Sequence, residues 1–399
     1  MTFNLKNIVR KNIWDLKPYS SARSEFKLYG TTDGAELTLL DANENPNDPA
    51  ILDIDLNIRN LNRYPDPMQS DIKELLSEQK GVLTDQIFVG NGSDEAIDLL
   101  YRIFCEPGKD SAITCPPTYG MYEVSAAIND IKVVEFPLLS DFSLDVDGIL
   151  KSDAFAKAKL LWICSPNNPT GNTLLKADLK HDWQAENYTK GGMMDMPFAS
   201  EFEKELKENR ATLDRLIGGF QGIVVVDEAY HDFTENQSFV RRLDDYPNLV
   251  VLQTMSKAHG MAGARTGFAF SSPQIIELFN KTKPPYNVNE LSQKAVAKAL
   301  TLRDQTEKQI NEIKSNREIL SSFLEEVSYV SEVYPSETNF ILAKVQNAKE
   351  IYNYLKDQDI IIRNRSSQIA DTLRFTVGTT QECEVLMEAL KHFPAKAEV

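Results

Sequence analysis

The 399 residues include only four cysteines and four histidines. Cys105, Cys115, Cys164 and Cys383 stand far apart with no CxxC pair, and no histidine sits in an HExxH pattern, so the common zinc motifs are missing. Scattered thiols of this kind read as structural cysteines in a reducing compartment. Basic residues are short as well: 43 Lys and Arg against 59 Asp and Glu leave a formal charge of −16. That balance argues against a nucleic-acid partner or an anionic membrane surface, because both are bound largely through Lys and Arg contacts to phosphate. No apolar run approaches the roughly 18 residues of a membrane span, and "MTFNLKNIVRKNIWDLKPYSSAR" at the start breaks each apolar stretch with charge. No GxxxxGK[ST] phosphate loop occurs. The expectation is a cytoplasmic protein with neither nucleic acid nor membrane as partner.

Apolar residues make up 42% of the chain, ample for burial, and its length exceeds what one core usually organises. From about residue 67 to 285 helical stretches alternate with "QIFVG", "SAITC", "IKVVEF", "KLLWIC", "GIVVVDE", "NLVVLQT" and "TGFAF". Runs this continuously rich in Val, Ile and Leu predict strands buried on both faces of a mostly parallel sheet. Residues 51–285 are therefore expected to form a large α/β domain. Pro284 and Pro285 punctuate the chain, a charged helical stretch runs from about Asn289 to Val327, and the shorter strands "NFILAKV", "IIIRN" and "TLRFTVG" follow. This pattern predicts a smaller α+β domain over 286–399, completed by residues 1–50, which also form an arm. Between Gly171 and Ile223 lie about fifty residues where a crossover between parallel strands needs about a dozen. The aperiodic "ENYTKGGMMDMPFAS" predicts an insertion near 182–199 between two helices, either packed on a pocket mouth or a plain surface excursion.

Candidate chemistry collects at strand ends. Asp227 closes "IVVVD", where open α/β sheets place ligand contacts; a carboxylate there needs a cationic partner, unless it caps the next helix. Lys257 follows "NLVVLQT". Desolvation and the nearby Arg265 favour its neutral amine, which can bond a carbonyl carbon, although a lone lysine is more often a solvated surface residue. "GNGSDEAIDLL" puts a Gly-bearing turn ahead of a helix, which offers N–H groups and a positive dipole end to a phosphate. A plain helix start is the alternative there. Ser256 and Arg265 could add a hydroxyl and a fork-shaped cation to the same phosphate. "CSPNNPTG", residues 164–171, forces an ordered turn whose Asn side chains can reach a ligand oxygen.

"SPNNPTG", "DEAY" and "SKAHGMAGARTGF", in this order, resemble the fold-type I aminotransferases that use pyridoxal phosphate, and the similarity covers nearly the whole chain. Within them, "LKPYSSAR", "LDANENP", "NRYPDP", "GNGSDEAID", "IIIRNRSSQ" and "LRFTVGT" resemble the histidinol-phosphate aminotransferase family. The resemblance implies a large domain on a mostly parallel seven-stranded sheet, a smaller α+β domain, and a homodimer. It implies that Lys257 bonds the cofactor's aldehyde and later shuttles a proton, and that Asp227 pairs with the ring nitrogen. Asn168 and Tyr230 would hydrogen-bond the ring's phenolic oxygen, and Tyr119 would stack on the ring. Ser93, Asp94, Ser256, Arg265 and, from a second subunit, Tyr64 would hold the cofactor phosphate. Arg363, Arg374, Asn43 and a Tyr19 from the partner's arm would hold the substrate; Arg365 shares a strand face with Arg363, so either could be the ligand. The implied reaction moves an amino group between L-histidinol phosphate and 2-oxoglutarate in histidine biosynthesis. A phosphothreonine decarboxylase, or an aminotransferase for aromatic or other amino acids, would use the same cofactor residues. A cofactor-sensing regulator would need a DNA-binding module, and the chain has no basic N-terminal domain for one.

Overall fold

Thr38–Leu39 (β1) is a two-residue strand whose partner comes much later in the chain. The seven apolar runs follow as β2 (Ile87–Gly90), β3 (Ser111–Thr114), β4 (Lys132–Glu135), β5 (Leu160–Cys164), β6 (Ile223–Asp227), β7 (Leu249–Thr254) and β8 (Gly267–Phe270). The computed structural model describes residues 9–17, 37–49, 51, 61–177 and 199–394. The insertion expected near 182–199 lies, apart from its last residue, outside the described residues.

All seven runs join one sheet in the order β2-β8-β7-β6-β5-β3-β4. Every neighbouring pair is parallel except those made by β8, which runs against both β2 and β7. The sheet is buried on both faces because successive side chains alternate between two cores. Leu161, Ile163, Val224, Val226, Leu249 and Val251 enter one core, while Leu160, Trp162, Val225, Val250 and Leu252 enter the other. Each such side chain contributes about 1.5–3 kcal/mol by leaving water. At the sheet's edge β4 exposes Lys132 and Glu135, charges that discourage pairing with another chain.

Four strand exits share one edge of this sheet. β2 leads into the helix Gly92–Phe104, β5 into the turn 165–171, β6 ends on Asp227, and β7 leads to Ser256 and Lys257. This is the carboxyl edge, where the loops and not the sheet decide what is bound.

A second sheet is antiparallel, in the order β12-β13-β10-β9, from β9 (Val330–Val333), β10 (Phe340–Val345), β12 (Arg363–Asn364) and β13 (Thr372–Thr376). Between them β11 (Ile360–Ile361) pairs in parallel with β1. Leu320, Leu324, Ile341, Leu373, Phe375 and Leu386 form the core under this sheet. The helical stretch expected from about Asn289 to Val327 is two helices, Glu290–Leu300 and Arg303–Glu326. The break has a packing cause. Val296, Ala299 and Leu300 lie in a core of the large sheet, whereas Leu320 and Leu324 lie in that of the small one, and one straight helix cannot serve both.

Candidate active site

Asp227 is buried at the end of β6. Its Oδ2 accepts from the Tyr122 hydroxyl at 2.6 Å and its Oδ1 from the Ala229 N–H at 3.1 Å. Burial pushes the carboxyl up to about 6; these two hydrogen bonds pull it down, and the nearby Asp94 and Glu228 carboxylates add to the push. Lys257 reaches the same cleft from the turn after β7. Its Nζ donates to the Ala42 carbonyl at 2.9 Å and lies 5.8 Å from the centroid of the Tyr230 ring. Burial, helped by the Arg374 and Arg265 guanidiniums against Glu44 and Asp94, brings its ammonium down to about 8. Near pH 7–8 the cleft thus holds an ionised acid and an amine that gives up its proton readily.

One end of the cleft is built to meet an anion. The helix Gly92–Phe104 starts there with no side-chain cap on its first N–H groups, so Ser93 and Asp94 present backbone donors at a positive dipole end. Gly92 has φ +73°, and a Cβ on it would lie 2.8 Å from Arg265 Nη2. A Cβ on Gly267 would lie 2.3 Å from the Ser93 nitrogen, so only glycine lets β8 pass this close to the helix start. Arg265 reaches Asp94 Oδ2 at 3.4 Å. Ser256 is buried beside them, its Oγ 3.0 Å from Thr254 Oγ1.

The opposite end carries guanidiniums. Arg363 on β12 and Arg374 on β13 are directly paired in register, and Arg365 lines the cleft with them. Arg374 is buried, lies over the Phe340 ring with 5.1 Å to its centroid, and donates to Asn168 Oδ1 at 2.8 Å. Asn168 Nδ2 in turn donates to the Tyr230 hydroxyl at 3.2 Å, which also accepts from Asn43 Nδ2 at 2.9 Å. Asn43 adopts φ +53° and is tied to Thr376 at the end of β13 by its N–H at 3.1 Å. Tyr119 spans the middle: its hydroxyl donates to Asp94 Oδ1 at 3.0 Å, and its ring meets that of Tyr122 edge-on at 5.6 Å.

The chain matches the family description "Aminotransferase class I and II" over residues 35–182 and 209–390. It belongs to the class I and II aminotransferases. The histidinol-phosphate aminotransferase of Christiangramia forsetii is 45% identical over 98% of this chain and 98% of its own. That of Cytophaga hutchinsonii is 44% identical over 98% and 100%. Among solved structures, the histidinol-phosphate aminotransferase of Sinorhizobium meliloti in complex with pyridoxal-5'-phosphate superposes with a TM-score of 0.78 at 22% identity, covering 96% of this chain and 98% of that one. The fold is the same.

In this aminotransferase thirteen residues singled out from the sequence line one cleft: Asn43, Ser93, Asp94, Tyr119, Asn168, Asp227, Tyr230, Ser256, Lys257, Arg265, Arg363, Arg365 and Arg374. Tyr64 does not join them within the chain. It is 79% exposed and stacked on Tyr286, with 4.4 Å between ring centroids. Tyr19 lies outside the described residues. Tyr122 was not anticipated: it sits at the start of the helix Met121–Asn129, in the core behind the cleft, and meets the site through Asp227. The Ala42 carbonyl, which holds the lysine, carries no side-chain signal. Among the described residues no cluster of His, Cys, Asp and Glu could hold a metal ion, and no helix is long and apolar enough to cross a membrane.

Proposed function

We propose that this aminotransferase moves the amino group between L-histidinol phosphate and 2-oxoglutarate with pyridoxal phosphate as its cofactor, as a cytoplasmic homodimer in histidine biosynthesis. The observation that carries the reading is one cleft with an anion-binding helix start at one end, guanidiniums at the other, and Asp227 and Lys257 between them. The two relatives described above, 45% and 44% identical over 98% of the chain, support the choice of substrate.

The residues fit pyridoxal phosphate. A buried carboxylate with no ion pair among the described residues suits a protonated ring nitrogen. The uncapped helix start, with Ser256 and Arg265 beside a glycine whose Cβ would block it, suits a phosphate. When bound, the group supplies an aldehyde for an amine and a ring that delocalises the electron pair left at a substrate's Cα. Lys257 would bond that aldehyde and, once displaced by substrate, take up the Cα proton on Nζ. Asp227 would hold the ring nitrogen protonated, Asn168 and Tyr230 would orient the phenolic oxygen, and Tyr119 would cover the ring face. Arg363, Arg365 and Arg374 would bind the substrate phosphate in one half-reaction and the glutamate carboxylates in the other, through charge-assisted bonds about twice as strong as neutral ones. The exposed Tyr64 would complete the phosphate site of a second subunit.

An absorbance spectrum tests the reading. Purified protein should carry a visible cofactor band that changes when histidinol phosphate is added and returns with 2-oxoglutarate. Absence of the band removes the cofactor. A band indifferent to histidinol phosphate removes the substrate, and carbon dioxide release from phosphothreonine would put the decarboxylase in its place.

A further inference from the structure

Tyr122 is buried and packed on three sides. Its ring stacks on Trp162 at 4.8 Å and 17°, and Tyr119 closes it edge-on at 5.6 Å. Tyr101, tilted against the same Trp162 with 5.4 Å between centroids, donates its hydroxyl to the Tyr122 carbonyl at 2.9 Å. With ring and backbone held, the hydroxyl lies beside the Cys164 thiol and donates to Asp227 Oδ2 at 2.6 Å, within the range of a short hydrogen bond to an anion.

We infer that Tyr122 is a positioning residue for the reaction: its phenol fixes the Asp227 carboxylate facing into the cleft and keeps it an anion. The inference rests on the reading of the cleft as a pyridoxal phosphate site. Asp227 sits among groups that favour its protonated form. Asp94 approaches from the helix Gly92–Phe104 and Glu228 is its neighbour in sequence; Cys164, its register partner on β5, is held well above its usual range by burial and stays an uncharged thiol beside it. The cations lining the cleft, Lys257, Arg265, Arg363, Arg365 and Arg374, make no ion pair with it among the described residues. Among the described residues only Tyr122 and the Ala229 N–H hold its charge by direct bonds. Tyr122 supplies the shorter one, and only it can be removed by substitution.

A hydrogen bond to a charged group is worth roughly one to two pH units in an acid's midpoint, so Tyr122→Phe should lift Asp227 from about 6 into the neutral range. Two measurements test this. In the holoenzyme, the pH titration of the cofactor band and the acid limb of kcat should both move up by at least one unit. Near pH 6.5 a one-unit rise from about 6 is about a threefold loss of kcat, with KM for histidinol phosphate within twofold. In the cofactor-free chain labelled with carboxyl-¹³C aspartate, the resonance lost in Asp227→Asn should titrate higher in Tyr122→Phe by the same amount. 3-Fluorotyrosine at 122, a stronger donor of nearly equal size, should shift all three midpoints down. Unmoved midpoints in a folded Tyr122→Phe protein would make Tyr122 a core residue only and overturn the inference. If histidinol phosphate is not a substrate, the band and the resonance still decide. If no cofactor band exists, the reading of the cleft fails and the inference with it.

Discussion

At Lys257 a single carbonyl, that of Ala42, anchors the amine while burial weakens its hold on a proton. Capture of an aldehyde needs the neutral form, so uptake of pyridoxal phosphate by the cofactor-free protein should quicken by about tenfold per pH unit up to about 8 and level off above. Stopped-flow absorbance reads this directly. Lys257→Ala should bind the cofactor without the visible band and turn over nothing, and borohydride should fix the cofactor mass only on the wild-type peptide that contains Lys257. Asp227 gives the opposite sign. Its folded carboxyl titrates at about 6 against an ordinary 3.8, so the native state holds the extra proton between those values. The associated stability is complete below about pH 4 and is lost as pH rises through 6, on the order of 3 kcal/mol for a fully buried group. The cofactor-free Asp227→Asn chain should therefore have a higher Tm than wild type at pH 8 and the same Tm at pH 4, while binding cofactor more weakly. Both residues were legible because a charge that ends an apolar strand stands out. Glu228, next in the chain, stands out equally, yet it is buried and accepts from the Phe239 N–H at 2.7 Å, Ser238 Oγ at 2.6 Å and Gln253 Nε2 at 2.8 Å. It ties loops together and does not line the cleft. Tyr122 stayed hidden because its partner lies 105 residues away.

At the scale of elements, the strands were readable because a run buried on both faces has no polar positions, and each of the seven runs became one strand of one sheet. The helix break at Thr301–Leu302 was not, since continuous helical composition does not say which of two cores each half will meet. The close pass of β8 over the helix start was readable only as an excess of glycine. It predicts that Gly267→Ala, whose Cβ would stand 2.3 Å from the Ser93 nitrogen and 2.5 Å from the Gly92 carbonyl carbon, displaces backbone. A loss of about 1–3 kcal/mol is expected, together with at least tenfold weaker cofactor binding. Gly263→Ala, which would meet nothing within 4 Å, is the control and should leave Tm and affinity unchanged.

For the whole molecule, the exposed Tyr64 gives a test of shared sites. A Lys257→Ala chain mixed with a Tyr64→Ala chain under subunit exchange should regain activity, because one heterodimer site collects both defects while the other has none. Verified heterodimers without recovery would mean that each subunit builds its site alone. The same scale shows what the arginine end does to a chain with a net charge of −16. Arg363 and Arg374 face each other across β12 and β13, and like charges so placed oppose folding by roughly 0.2–1 kcal/mol. Inorganic phosphate should relieve that repulsion and raise Tm, and Arg363→Leu should blunt that rise. At this end of the cleft an anion would then be a structural partner as well as a ligand.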